Sequence, residues 1–166
     1  AAVWNRPLTL VEIKSLALGV DLSTRAYRPG NIAAAPTAWW KLNEVSSGSG
    51  AVSRMDSAGS HNLTDNNTVG SGTGFIDAVG ADFEFSNSEY LATPDSPDWN
   101  LGNQDFSIAL WTKFEDVTDG FNRAWIGQRT DGNNMWSLEY QTSFDRVSFR
   151  QAVGGVFNIE VGGTFL

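Results

Sequence analysis

The sequence predicts an all-β fold of the sandwich or barrel type, with little helix beyond a short N-terminal one. Two observations carry this. From residue 81 onward, strand-length apolar runs alternate with clusters of turn-forming residues. Of the 166 residues, 41% are hydrophobic, with 7 Trp and 10 Phe, so enough apolar surface exists to build one compact core and the chain is not a disordered one.

The elements follow in order. Ala2 to Trp4 is apolar and long enough for one strand, and Pro7 ends it. Thr9 and Glu12 stand three apart, the spacing of a capping box, in which the hydroxyl and the carboxylate each bond the other residue's amide. Leu10, Val11, Ile13 and Leu16 then give a short apolar face, and Gly19 stands where a left-handed stop belongs. Residues 20–37 mix Pro, Gly, Ala and polar residues without a period and read as a linker. AWWKLNE (38–44) is a strand candidate, and the segment from Ser46 to Leu63 reads as loop, with turn formers Asp56, Ser57 and Gly59. The runs ADFEF, EYLAT, DFSIALWTKF, AWIGQRT, NMWSLEYQ, RVSFRQA and VFNIEVG are strands, and Asp131-Gly132 and Gly154-Gly155 are hairpin turns. Trp136, Leu138 and Tyr140 share one strand face, Ser137 and Glu139 the other. The run Phe106 to Trp111 is apolar on both faces but for Ser107, which places it centrally in a covered sheet. Phe106, Ile108, Trp111, Trp136 and Leu138 are expected in the core.

Composition narrows function. Eleven basic residues against 19 acidic give a net charge of −8, with no basic cluster, which argues against nucleic acid and against anionic membrane surfaces. No cysteine is present, so disulfides, thiolate zinc sites and a cysteine nucleophile are excluded. No apolar run approaches the roughly 20 residues of a membrane span, so no membrane insertion is expected. The one histidine, His61, lies in a Gly/Ser/Asn-rich loop and reads as solvated, with no serine placed as its nucleophile. Asp82 and Glu84 share a strand face, roughly 7 Å apart by strand rise, which is within the range used in glycoside hydrolysis. The next residue on that face is Ser86, so a third acid is missing and no catalytic residue is expected. An aromatic platform for a sugar ring needs an exposed Trp, and Trp99, in the loop PDSPDWNLG, is the ligand-binding candidate. Calcium takes hard oxygen ligands, for which Asp56, Asp65 and Asp131 are the candidates.

Several motifs in order carry a resemblance. Trp40, Leu42 and Glu44; Asp56, Ser57 and Gly59; Phe85, Tyr90 and Leu91; and Phe106, Ile108 and Trp111 resemble the successive signatures of laminin-G-like, concanavalin A-like jelly-roll modules. That resemblance covers residues 38–166 and implies an antiparallel two-sheet jelly-roll sandwich. Trp4, Asn5, Arg6, Leu8, Thr9, Glu12, Ile13 and Leu16 resemble the segment that closes such a module. On this reading, 1–19 is the C-terminal tail of a preceding module, 20–37 a linker and 38–166 the next module, incomplete at its C-terminal end. The chain is then a window on a tandem array, and few contacts are expected between 1–19 and 38–166. A circular permutation, in which 1–19 closes the body that follows it, is the alternative, and it requires extensive contacts. The fold hosts many functions. Two classes are expected: a module binding a glycan or a cell-surface protein, or a structural module of a virion or surface layer contacting neighbouring subunits. Either is extracellular, at a cell surface or in a virion.

Overall fold

A computed structural model describes residues 1–18, 35–44, 50–75, 77–102, 104–131 and 133–164. Gly19 and residues 20–34 of the expected linker lie outside the described residues. The chain divides into two compact units, Ala1–Trp111 and Thr112–Leu166. Both are built mainly from antiparallel strands, and α1 (Leu10–Leu18) is the one α-helix among the described residues.

In the first unit, β1 (Ala2–Trp4) is the middle strand of a three-stranded sheet, between β2 (Ala38–Trp39) and β8 (Ser107–Ala109). Ala2 faces Trp39 on one side and Ala109 on the other, and Trp4 faces Ser107. The Thr37 amide adds a bond to the Val3 carbonyl, and the Leu8 amide donates to Ser107 Oγ. Ala2, Val3 and Trp4 are at most 1% exposed, and Ala2, Trp4 and Leu16 form a core cluster that Leu8, Trp39 and Ala109 pack against. Few contacts were expected between 1–19 and 38–166, and this is corrected: three short apolar residues have no other way to bury both faces and satisfy both edges than to lie between two strands.

The capping box forms as its spacing requires. Glu12 accepts from the Thr9 amide at 2.8 Å, and Thr9 Oγ1 accepts from the Glu12 amide at 3.3 Å. Arg6 clamps the same carboxylate with two bonds, at 3.1 and 2.6 Å. The apolar helix face is only partly used: Leu16 is buried, while Leu10, Val11 and Ile13 are exposed.

Three further strands, β3 (Gly50–Arg54), β4 (Leu63–Asn66) and β7 (Tyr90–Ala92), make a second sheet in the order β3-β4-β7, and β5 (Gly70–Thr73) pairs with β6 (Val79–Asp82). The segment read as loop before residue 63 therefore contains the strand β3, and β5, GSGT, is a second strand without the apolar alternation that would reveal it. The placement of Phe106 to Trp111 is corrected too. Only Ser107–Ala109 is strand, β8 pairs on one side among the described residues, and Trp111 is 47% exposed just beyond it. Phe106 and Ile108 are half-buried.

The second unit is a four-stranded antiparallel meander of β9 (Arg123–Arg129), β10 (Met135–Gln141), β11 (Arg146–Val153) and β12 (Val156–Thr164), each strand beside its sequence neighbour. Gly154 and Gly155 join β11 to β12 with φ of +59° and +80°, the two positive values a type I′ hairpin demands. Asp131 tightens the β9–β10 turn by accepting from the Asn133 and Asn134 amides. Trp136 and Tyr140 are buried on the apolar face, Leu138 is half-buried, and the Trp136 ring stacks on Phe149.

Candidate functional site

In the first unit, the carboxylate of Asp56 organises the loop after β3. Its Oδ1 accepts from the Trp39 and Ala58 amides, both at 2.9 Å, and its Oδ2 accepts from the His61 amide at 3.1 Å. Burial pushes this carboxyl up, but the amides of Trp39, Ala58, His61 and Gly59 together outweigh burial and hold it below its ordinary value. The Ser57 amide returns a bond to the Trp39 carbonyl, and Trp40 Nε1 donates to the His61 carbonyl at 2.6 Å. The Trp-x-Leu-x-Glu and Asp-Ser-x-Gly segments are thus two sides of one hydrogen-bonded seam.

Trp99 belongs to this seam and not to the surface. The expected exposure is corrected: Trp99 is 6% exposed, its ring 4.4 Å from that of His61 and 5.8 Å from that of Trp40. A 3-10 turn, Pro97–Trp99, capped by the Ser96 side chain, turns it inward. His61 is corrected with it. Instead of standing in solvent, its Nε2 meets Asp98 Oδ2 at 2.9 Å and its side chain is 17% exposed.

The calcium candidates do not form a cage. Asp56 spends its oxygens on amides. Asp65 is fully buried, with Oδ1 accepting from the Val69 amide at 2.9 Å and Oδ2 3.7 Å from the Arg54 guanidinium. Asp131, in the second unit, is held by its own turn, and the Asn133 amide and the Asn134 side chain draw its pKa down. Carboxylates already saturated by amides or facing a guanidinium do not fit a cation needing six or more oxygens. Arg54, unforeseen from the sequence, is a fully buried cation of this unit. It donates to the Glu44 and Val69 carbonyls at 3.0 and 2.9 Å, and Glu44 Oε2 lies 3.8 Å away.

Asp82 closes β6, but Glu84 lies beyond the strand, as the residue that precedes a 3-10 turn at Phe85–Asn87. The expected shared strand face is therefore absent, although the two carboxylates approach within 4.8 Å.

One surface feature of the first unit stands apart. Phe75, at the tip of the β5–β6 hairpin, is 74% exposed, and its ring stacks on that of Trp111 with centroids 4.4 Å apart and planes 29° apart. Two residues after Phe75 in the chain, the exposed Asp77 accepts from Asn43 Nδ2 at 2.8 Å. Gly74 makes this tip possible, because a Cβ there would lie 2.4 Å from the Asp77 carbonyl oxygen.

The second unit carries a polar sheet face. Ser137, Glu139 and Gln141 on β10 stand opposite Arg150, Ser148 and Arg146 on β11, and Arg150 stands opposite Glu160 on β12. Arg150 donates to Glu139 at 2.9 Å, Gln141 bridges Glu139 and Glu160, and Arg146 pairs with Glu160 and donates to Gln141 at 2.8 Å. Phe157 and Phe144 lie against the two guanidiniums, at 4.1 and 4.8 Å. Glu139, Gln141 and Ser148 are at most 6% exposed. Two acids against two bases close a neutral network, and Gly162 leaves room for it, since a Cβ there would meet Ser148 Oγ at 2.7 Å. Alternation identified this face, but not its burial.

Comparison with known protein families, with curated proteins and with solved structures finds no match to this chain. Function is therefore argued from the residues.

Proposed function

We propose that this chain is a non-catalytic binding module of the laminin-G-like, jelly-roll kind, recognising a glycan or a protein at a cell surface as part of a larger multi-module protein. The observation that carries this reading is the contrast between its charges and its aromatics. Asp56, Asp65, Arg54, Glu139 and Arg150 are consumed in structural bonding, and His61 is taken by Asp98. Among the exposed aromatics, Phe75 and Trp111 stack on each other. Exposed aromatics beside a few polar groups are the usual lining of a recognition site. The antiparallel strands and the Asp56 seam, which joins two of the family-like segments, support the jelly-roll assignment. No helix among the described residues is long and apolar enough to cross a membrane.

A second reading, a structural module of a virion or surface layer, is favoured by a different observation. Val153, Val156 and Val161, on one face of the β11–β12 hairpin, are each more than 50% exposed, an apolar strip suited to a neighbouring subunit. Binding of the purified chain to an array of immobilised glycans and cell-surface proteins, with sedimentation across a concentration series, separates the two. Saturable binding by a monomer supports the recognition module. Concentration-dependent assembly without array binding supports the structural one and overturns the first.

A further inference from the structure

We propose that one buried water molecule is a structural component of the first unit, bound between the Arg54 guanidinium on β3 and the Asp65 carboxylate on β4. Both side chains are fully buried, and each keeps one polar atom with no hydrogen-bond partner among the described residues: Arg54 Nε, a donor, and Asp65 Oδ2, an acceptor. The two atoms are neighbours. Asp65 Oδ2 lies 3.7 Å from Arg54 Nη2, which shares one planar fork with Nε. A direct charged hydrogen bond closes to about 2.7–2.9 Å, so this pair is not joined directly.

Neither side chain is free to close the gap. Asp65 Oδ1 accepts from the Val69 amide at 2.9 Å, while Arg54 donates to the Val69 carbonyl at 2.9 Å and, through Nη1, to the Glu44 carbonyl at 3.0 Å. Val69, itself fully buried, is thus gripped at both its amide and its carbonyl. Asn67 and Thr68 just before it are held at φ of +65° and +67°, a region where a β-branched threonine is rare. A backbone of that kind persists only where its surroundings are fixed. Charge then selects the ligand. An anion would face Asp65, and Glu44 Oε2 lies 3.8 Å from the other end of the guanidinium. A metal cation would face the guanidinium itself. What is left is a small neutral molecule that accepts from Nε–H and donates to Oδ2, which is water. Two such polar groups are the minimum that holds an internal water. Immobilising it costs less than leaving two buried polar groups unbonded.

The test needs no substitution. Water-selected rotating-frame NOE spectra of the isotopically labelled full chain are read at the Val69 amide, which bulk solvent does not reach, and at Arg54 Nε–H. We expect a dipolar cross-peak from water at both, opposite in sign to the peaks that proton exchange produces. Electron density from a crystal of the full chain is expected to show one peak within about 2.7–3.2 Å of both Arg54 Nε and Asp65 Oδ2. Absence of the dipolar cross-peak at Val69 would overturn the proposal. So would a crystal structure in which Asp65 Oδ2 accepts directly from Arg54 Nε. A density peak with several oxygens at roughly 2.0–2.6 Å would identify a metal ion and overturn water as the ligand.

Discussion

Removing β1 tests the central feature of the first unit. In a variant lacking residues 1–4, β2 and β8 each lose a partner strand, because β1 lies between them. Val3 and Trp4, both at most 1% exposed, are the main apolar groups withdrawn from the core. Fully burying each is worth about 1.5–3 kcal/mol, or roughly 3–6 kcal/mol together. The Thr37 amide also loses the Val3 carbonyl, and a hydrogen bond contributes on the order of 1 kcal/mol. The sum reaches the lower part of the roughly 5–15 kcal/mol that stabilises a whole domain. Amide hydrogen exchange read by NMR at Thr37 and Trp40, which donate to the Val3 and Ala1 carbonyls, is the direct assay. In the parent chain these amides should be protected, and in the truncated chain they should exchange at rates near those of an unfolded peptide. Protection retained within a factor of about ten, equivalent to 1.4 kcal/mol, would refute the reasoning and restore the expectation that 1–19 contributes little to the body.

Three other outcomes are expected. Asp56→Ala strands the amides of Trp39, Ala58 and His61, so a loss of about 3 kcal/mol at roughly 1 kcal/mol per bond should appear in urea denaturation followed by tryptophan fluorescence; Asp56→Asn should recover part of it. Arg54→Met leaves the fully buried Asp65 facing no cation, a disruption of about 3–5 kcal/mol that thermal unfolding will register, and adding Asp65→Asn should return some of the loss. The carboxyl of Glu12 is drawn down to about 2, first by the Arg6 side chain and then by the Thr9 amide. Because the folded value lies below the unfolded one, near 4.3, the folded state binds fewer protons across that interval. The stabilisation is complete above the unfolded value and disappears as pH falls through about 2. A carboxyl-carbon NMR titration of Glu12 with its midpoint above 4 would contradict this.

What the sequence disclosed was mostly local. The Thr9–Glu12 box needs only three residues of spacing, and the Gly154-Gly155 hairpin needs only two backbone angles, so both are readable without knowing the fold. The strands from β9 to β12 are legible for the same reason, since each pairs with its neighbour in the chain. Trp99 was misleading because the loop PDSPDWNLG has the composition of an exposed segment, while the ring's partners, Trp40 and His61, lie far away in sequence. Trp111 failed in the opposite sense: it ends an apolar run, yet the strand stops at Ala109. Glu139 alternates as an outward residue would, and only the arginine opposite Ser137, on the next strand, shows why it is buried. Arg54 offers no signal in sequence, since its ligands are mainly backbone carbonyls. The aromatic pair was equally hidden, because Phe75 and Trp111 meet only after the chain has folded.

The position of β1 also sets a timetable for synthesis. Its partners include Ala38 and Trp39, but also Ile108 and Ala109, so β1 cannot be enclosed until about a hundred further residues have emerged. At roughly 5–20 residues per second, that interval is about 5–20 s. During it, Val3 and Trp4 travel with one edge open, as a short apolar segment that a holding chaperone would recognise. The meander after residue 112 faces no such delay, since each of its strands meets its partner as soon as the intervening turn is made.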